Sequence, residues 1–386
     1  MSVEPARVRR WYRPMSARDR GERHRASTPL ELLFDLCFVV AVSQAAGQLH
    51  HSLTEHEIGH GIITFLVVFF AVWWGWVNFS WFASAFDTDD VPYRLATFVQ
   101  IAGALVVAAG VPAAWHNDLT TIVAGYVLMR LAMVAQWLRA ARTAPAHHAT
   151  ALRFALGITI VQVGWVLRLF VPESWFLPSF LLLALAEILV PLWAERPAAT
   201  TWHPEHIAER YGLFTLIVLG ESVLAATTAI EEGLSSGHGV GRLIAIAAAG
   251  LVIVFSLWWL YFDQPGHRRL AQFRNGFVWG YGHYLIFASA AAVGVGLEVA
   301  IEPGGLGEVG AALTLTVPVA VYLLSVWLLH VGPRNECRPI AIAYPLAVVL
   351  VLGTSFLTGG TYLAALVTAA LVVTNVLAKQ GDTSEV

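Results

Sequence analysis

Glu31 and Asp35 stand one helical turn apart in Pro29–Val39, at the head of an apolar run, and Glu209, Arg210, Glu221 and Ser222 occupy a second such run. Ionisable groups at membrane depth cost roughly 2.5–3.5 kcal/mol each, so they need partners or a wet cavity. An acid placed there either binds a cation or stays protonated because desolvation favours its neutral form. Glu31 and Asp35 share one helix face. Thr28 to Glu31 reads as a capping start, which with the helix dipole accounts for Glu31. Asp35 lies deeper, among Phe34, Leu36 and Phe38, and is a candidate for cation or proton handling, with a salt link to an arginine as the plain alternative. Glu221 is the sharper candidate. It follows Glu209 by twelve residues, about 18 Å along a helix, close to the middle of a hydrocarbon core about 30 Å thick. Its neighbour Gly220 is predicted to admit another helix closely. Arg130 and Glu187 fall at comparable depth in two other runs and are read as a structural ion pair. Arg210 is expected to hold its helix to the first one through Asp35. Asn78, Gln100, Gln162 and His283 are read as helix-to-helix hydrogen bonds.

The elements that must position these groups are transmembrane helices. The 386 residues are 57% hydrophobic and only 13% charged, about half the charged share of a soluble domain, so most of the surface cannot face water. Apolar runs of spanning length recur throughout. Twelve helices are predicted, at about 29–48, 60–84, 94–113, 120–142, 151–171, 174–194, 208–230, 241–263, 275–300, 309–331, 339–357 and 360–378. The expected fold is an all-α polytopic transmembrane bundle. It comprises a basic arm (1–28), a six-helix repeat (29–194), a linker (195–207), a second six-helix repeat (208–378) and a short tail (379–386).

The basic residues set the orientation. With the N-terminus inside, the inner side collects the eight arginines of residues 1–28 (Arg7, Arg9, Arg10, Arg13, Arg18, Arg20, Arg23 and Arg25). To these it adds Arg94, Arg139, Arg142, Arg153, Arg196, Arg210, Arg268, Arg269, Arg274, Arg334, Arg338 and Lys379. Only Arg242 falls in an outer loop, while the acidic Glu55, Glu57, Asp118, Glu173, Glu231, Glu232, Glu302 and Glu308 lie there. The positive-inside rule then puts both termini in the cytoplasm. The arm is read as a membrane anchor that touches anionic lipid, not as a nucleic-acid binder. Cys37 and Cys337 are too far apart in sequence to suggest a disulfide framework or a zinc site.

The halves resemble one another. Glu31 aligns with Glu209 and Ser43 with Glu221; Trp73-Trp74-Gly75-Trp76 matches Trp258-Trp259-Leu260-Tyr261; and 102–110 and 288–296 are both rich in small residues. Six helices per half keep the same orientation, so the repeats are related by an axis along the membrane normal, with sites expected near the midplane where repeats meet.

Other motifs are weaker. His56-Glu57-Ile58-Gly59-His60 spells a zinc-protease pattern, but it sits at a loop–helix junction with a glycine inside and is read as a solvated loop, so no metal and no cofactor are expected. His206 is expected to pack against the start of its own helix. Trp and Phe residues of 73–86 are read as facing lipid and neighbouring helices rather than lining a substrate path. No Walker loop, nucleophile elbow or dinucleotide glycine pattern is present.

Two segments carry a family likeness. Pro29–Val39, with Glu31 and Asp35, resembles the opening signature of the bacterial low temperature requirement protein A family. His206–Phe214, running on to Leu219-Gly220-Glu221-Ser222, resembles its second signature, with Cys37 and Tyr211 as small departures. The likeness covers nearly the whole chain and implies a bacterial cytoplasmic membrane protein, while implying no particular activity. The doubled plan and the deep carboxylate favour an ion- or proton-coupled transporter, with Asp35, Glu221, Glu31, Glu209, Arg210 and Ser222 on the path of a small solute or cation. The alternatives are a cation channel, for which no carbonyl filter is evident, and a membrane-embedded enzyme or assembly factor. Neither substrate nor oligomeric state is legible.

Overall fold

In a computed structural model, residues 11–19, 26–235, 239–264, 270, 276–302, 305–332 and 338–383 are described. Arg7, Arg9, Arg10, Arg20, Arg23, Arg25, Arg268, Arg269, Arg274, Arg334 and Cys337 lie outside these residues. Twelve α-helices and no strand occur among the described residues: α1 (Pro29–Thr54), α2 (Ile58–Phe86), α3 (Val91–Ala114), α4 (Thr120–Thr143), α5 (His148–Arg168), α6 (Phe176–Ala194), α7 (Pro204–Ser235), α8 (Val240–Phe262), α9 (Phe277–Ile301), α10 (Glu308–Val326), α11 (Arg338–Thr354) and α12 (Gly360–Thr383). A π turn, Trp327–Val331, continues α10. Ten of the helices are long and apolar enough to cross a membrane. The two others are α7, which carries Glu205, Glu209, Arg210 and Glu221, and α11, whose apolar stretch Pro339–Thr354 is shorter.

Local rules start these helices. At α1 the Thr28 hydroxyl accepts from the Glu31 amide at 3.3 Å, and the Glu31 carboxylate accepts from the Thr28 amide at 2.7 Å. This is a reciprocal capping box, which satisfies two orphan amides at once. At α3 the Asp90 carboxylate accepts from the Tyr93 amide at 3.1 Å, and proline occupies the first turn, where no amide is needed.

The chain divides into two compact units, one of residues 1–41 and 71–207 and the other of residues 42–70 and 208–386. In the first, α3, α4, α5 and α6 pack in chain order. Its core is aromatic: Phe34 stacks on Phe79 with centroids 3.8 Å apart, and Trp137 on Phe154 at 4.1 Å. Trp73, Trp74 and Trp76 are all buried, so these aromatics face protein and not lipid; the Trp74 and Trp76 indoles donate to internal carboxylates, where the N–H is better placed than in hydrocarbon. Residues of the N-terminal arm are also part of this unit: Met15 is fully buried and exchanges hydrogen bonds with the Thr143 hydroxyl.

In the second unit α9 to α12 pack in chain order, with α12 also against α8. Small residues set the closest approaches. A Cβ at Gly103 would fall 2.7 Å from the Gly125 carbonyl, and one at Gly296 would fall 2.5 Å from Leu315 Cα. Without a hydrophobic force between helices in lipid, such backbone proximity supplies the packing energy. Large exposed residues such as Leu131, Leu182, Phe255 and Val349 give the outer faces their apolar character.

Candidate functional site

In the first unit the signature residue Glu31 is fully buried and meets a partner 175 positions away in sequence. His206 Nε2 lies 3.2 Å from Glu31 Oε1, with both side chains inaccessible. The Glu31 Oε2 atom is committed to the capping box, so the two carboxylate oxygens are divided between a backbone amide and a histidine. His206, in the first turn of α7, thus reaches the start of α1. Its own amide donates to His203 Nδ1 at 3.4 Å, and the His203 amide donates to the Ser84 hydroxyl at 3.0 Å. These contacts tie the head of α7 to α2.

One turn past Glu31, Asp35 is also fully buried, and Trp76 Nε1–H donates to its Oδ1 at 2.6 Å. Nothing in their spacing links the two, which stand 41 positions apart, the tryptophan in a run that reads as facing lipid and neighbouring helices.

Arg130 and Glu187 are brought together. Arg130 Nη2 lies 3.1 Å from Glu187 Oε2, and both are buried. The carboxylate also accepts from Trp74 Nε1–H at 2.8 Å and Trp165 Nε1–H at 3.3 Å, and Arg130 donates to the Tyr126 hydroxyl at 2.9 Å. The guanidinium rests 4.7 Å from the Tyr126 ring centroid. Four helices, α2, α4, α5 and α6, contribute to this cluster, which gives the group the character of a lock. Arg168, near the end of α5, donates to the Phe176 carbonyl at 2.9 Å and closes the α5–α6 connection.

A second ion pair was not anticipated. Asp90, the N-cap of α3, is bound by Arg139 of α4 through two contacts, one of them Nη1 to Oδ1 at 3.0 Å. The Arg13 amide donates to Asp90 at 2.8 Å, and Arg139 also donates to the Arg13 carbonyl at 2.7 Å. Burial raises the Asp90 pKa, but the Arg139 guanidinium and the two amides outweigh it and hold the carboxyl below its ordinary value.

In the second unit, Glu221 is partly exposed and has no hydrogen-bond partner among the described residues. Gly220 has open space where a Cβ would stand, so the predicted close approach is not there. It occurs two residues on: the Ser222 hydroxyl donates to the Ala290 carbonyl at 2.9 Å, and a Cβ at Gly294 would fall 2.9 Å from Ser222 Cα. Arg210 is fully buried, whereas Glu209 is partly exposed. His50 Nδ1 lies 4.0 Å from Glu298 of α9, a pair missed because both residues sit near run ends.

His283 does make a helix-to-helix bond, but within a larger group: the Tyr261 hydroxyl lies 3.1 Å and His330 Nε2 lies 3.2 Å from its Nε2. The His56–His60 stretch is not a regular helix: α2 begins at Ile58, and His56 has φ +68°. Among the described residues no group of three or more His, Cys, Asp or Glu is placed to hold a metal ion.

Apolar helices of spanning length, with their charges paired inside, define a multi-pass helical membrane protein. The model of the bacterial low temperature requirement A protein family matches residues 26–377, and the chain belongs to that family. It is 28% identical over 338 residues to an uncharacterized protein of Rhizobium meliloti (strain 1021), covering 82% of this chain and 80% of the relative. No solved structure matches it.

Two predictions follow from the pairs. Glu187→Leu alone strands the Arg130 charge in buried surroundings and is expected to cost about 3–5 kcal/mol, whereas Arg130→Met with Glu187→Leu recovers most of it; thermal unfolding in detergent reads both, and equal losses would contradict the lock. Because the native Asp90 carboxyl titrates low, its contribution is complete above about pH 4 and is lost as pH falls through the native value. Asp90→Asn is therefore expected to flatten the acid limb of the stability profile; an unchanged limb would remove Asp90 from it.

Proposed function

We propose that the chain is an ion- or proton-coupled secondary transporter of a small solute in the bacterial cytoplasmic membrane, with both termini cytoplasmic. The observation that carries this reading is the buried Glu31–His206 pair, inaccessible on both sides. A carboxylate beside an imidazole holds one shared proton as a net-neutral pair and gains one unit of charge when it takes a second, so the pair changes charge as it loads and unloads, which is the property a proton carrier needs. Asp35 one turn deeper and Glu221 in α7 extend the set of acids available at membrane depth. In the second unit, α9 carries Glu298 and His283 fifteen residues apart, about 22 Å along the helix, so titratable groups occur towards both of its ends.

Orientation rests on arginine. In the first unit Arg139, Arg142, Arg153 and Arg196 lie at or beside helix ends, and Arg13 of the arm joins them through Asp90; the Thr150 hydroxyl donates to the Ala198 carbonyl at 2.8 Å at the same end. The positive-inside rule makes that end cytoplasmic. A six-plus-six duplication is supported by equivalent positions in the two halves. Trp76 and its counterpart Tyr261 are both buried and both reach a titratable side chain, Asp35 and His283 respectively. Gly110 and Gly296 each set a close approach to the following helix, at Ile122 and at Leu315.

The test is solute-driven proton movement in liposomes holding the purified protein. Wild type is expected to move protons when its solute is added, and Glu221→Gln is expected to abolish this while leaving the melting temperature in place. Unchanged flux would remove Glu221 from the path; a fall in stability with unchanged flux would make it a packing group.

A further inference from the structure

The helix ends that meet around His283 form a group that the carboxylates do not account for. We propose that His283 and His330, with the Tyr261 hydroxyl, are a shared-proton site that passes a proton between the two imidazoles, a second station beside the acids; this rests on the proton-coupled reading above.

The donor set fixes the chemistry. His283 Nδ1 lies 2.7 Å from the Trp279 carbonyl oxygen. A carbonyl only accepts, so Nδ1 carries a hydrogen and Nε2 of the neutral ring is the lone-pair nitrogen. Two groups converge on that one lone pair, His330 Nε2 at 3.2 Å and the Tyr261 hydroxyl at 3.1 Å. Two facing lone pairs would repel, so neutral His330 meets His283 as its Nε2–H tautomer. A proton arriving at His330 Nδ1 makes that ring an imidazolium. It then yields its Nε2 proton across the 3.2 Å contact. His330 ends neutral with hydrogen on Nδ1, and His283 ends as the imidazolium with hydrogen on both nitrogens. Charge and atoms balance, and the reverse transfer resets the pair.

Burial disfavours a lasting charge on either ring, so the cation is only transient, and aromatic faces are what surround it. Both histidines are buried, and the groups facing them are aromatic. From α7 comes Tyr211, ring to ring with His283 at 4.9 Å; from α8 comes Tyr261; on α9 itself Trp279 lies at 4.0 Å. Ring faces within about 6 Å attract a cation. Tyr322 of α10 donates to the Leu257 carbonyl at 3.2 Å, so its proton is engaged elsewhere. His330 itself is presented by the π turn Trp327–Val331, an irregularity that recurs at functional sites.

The experiment is solid-state NMR on the full chain carrying ring-15N histidine, in phosphatidylethanolamine/phosphatidylglycerol vesicles, titrated from about pH 5 to 8. The expected result is a nitrogen-to-nitrogen coupling across one hydrogen bond that vanishes in both His283→Gln and His330→Gln, together with conversion of one ring to imidazolium as pH falls. The absence of that coupling in wild type, or rings that keep one tautomer across the range, would overturn the site, and this readout does not depend on a variant folding. Proton flux in the same vesicles separates the two claims. Coupling without any solute-driven flux would sink the transport reading and leave the site, whereas flux without coupling would sink the site alone.

Discussion

Glu31 and His206 face each other at 3.2 Å with neither reachable by solvent, and the starts of the two helices that carry them depend on that contact. Burying a carboxylate costs several kcal/mol unless its oxygens are satisfied. Here one oxygen closes the capping box that begins α1, and the other meets the histidine. The same side chain therefore starts one helix and fixes the head of another. Asp35 then falls one turn along α1, on the face that meets the Trp76 indole. The histidine distinguishes this pair from the arginine pairs, because an imidazole, unlike a guanidinium, can lose its proton.

The first unit contains a contrast that clarifies the point. Arg130 with Glu187, and Arg139 with Asp90, are permanent ion pairs supported by additional donors: two indoles for Glu187, two backbone amides for Asp90. An arginine does not give up its proton in a protein, so the cationic partner of each of these pairs stays charged. Glu31–His206 and His283–His330 instead each include an imidazole, a group able to take up or release a proton. Sorting buried charges by whether the partner titrates separates locks from candidate carriers.

Much of the architecture was legible because the bilayer imposes a length. Twelve helices stand among the described residues, ten of them long and apolar enough to span, and the ends that moved did so for local reasons. For example, α7 begins earlier than its apolar run because Pro204 occupies its first turn and His203 receives the His206 amide. Arg130 and Glu187 stood out because charge at depth demands a partner. What sequence could not give was the third dimension of ordinary residues. Trp74 and Trp76 stand in a run that reads as facing lipid and neighbouring helices, with no sign of a polar partner, and Trp165 carries no signal at all, yet each spends its N–H on a buried carboxylate. His330 closes an apolar run without any motif, and only the π turn and the return of α9 bring it to His283. Asp90 lay in a short acidic loop that gave no hint of Arg139 or of the docked arm.

The most direct measurement is a double-mutant cycle on Glu31→Gln and His206→Gln, alone and together, read as melting temperature and as solute-driven proton flux across vesicles. A shared-proton pair predicts strong non-additivity in stability and loss of flux in each single variant. Additive stability changes with flux intact in all three variants would contradict it.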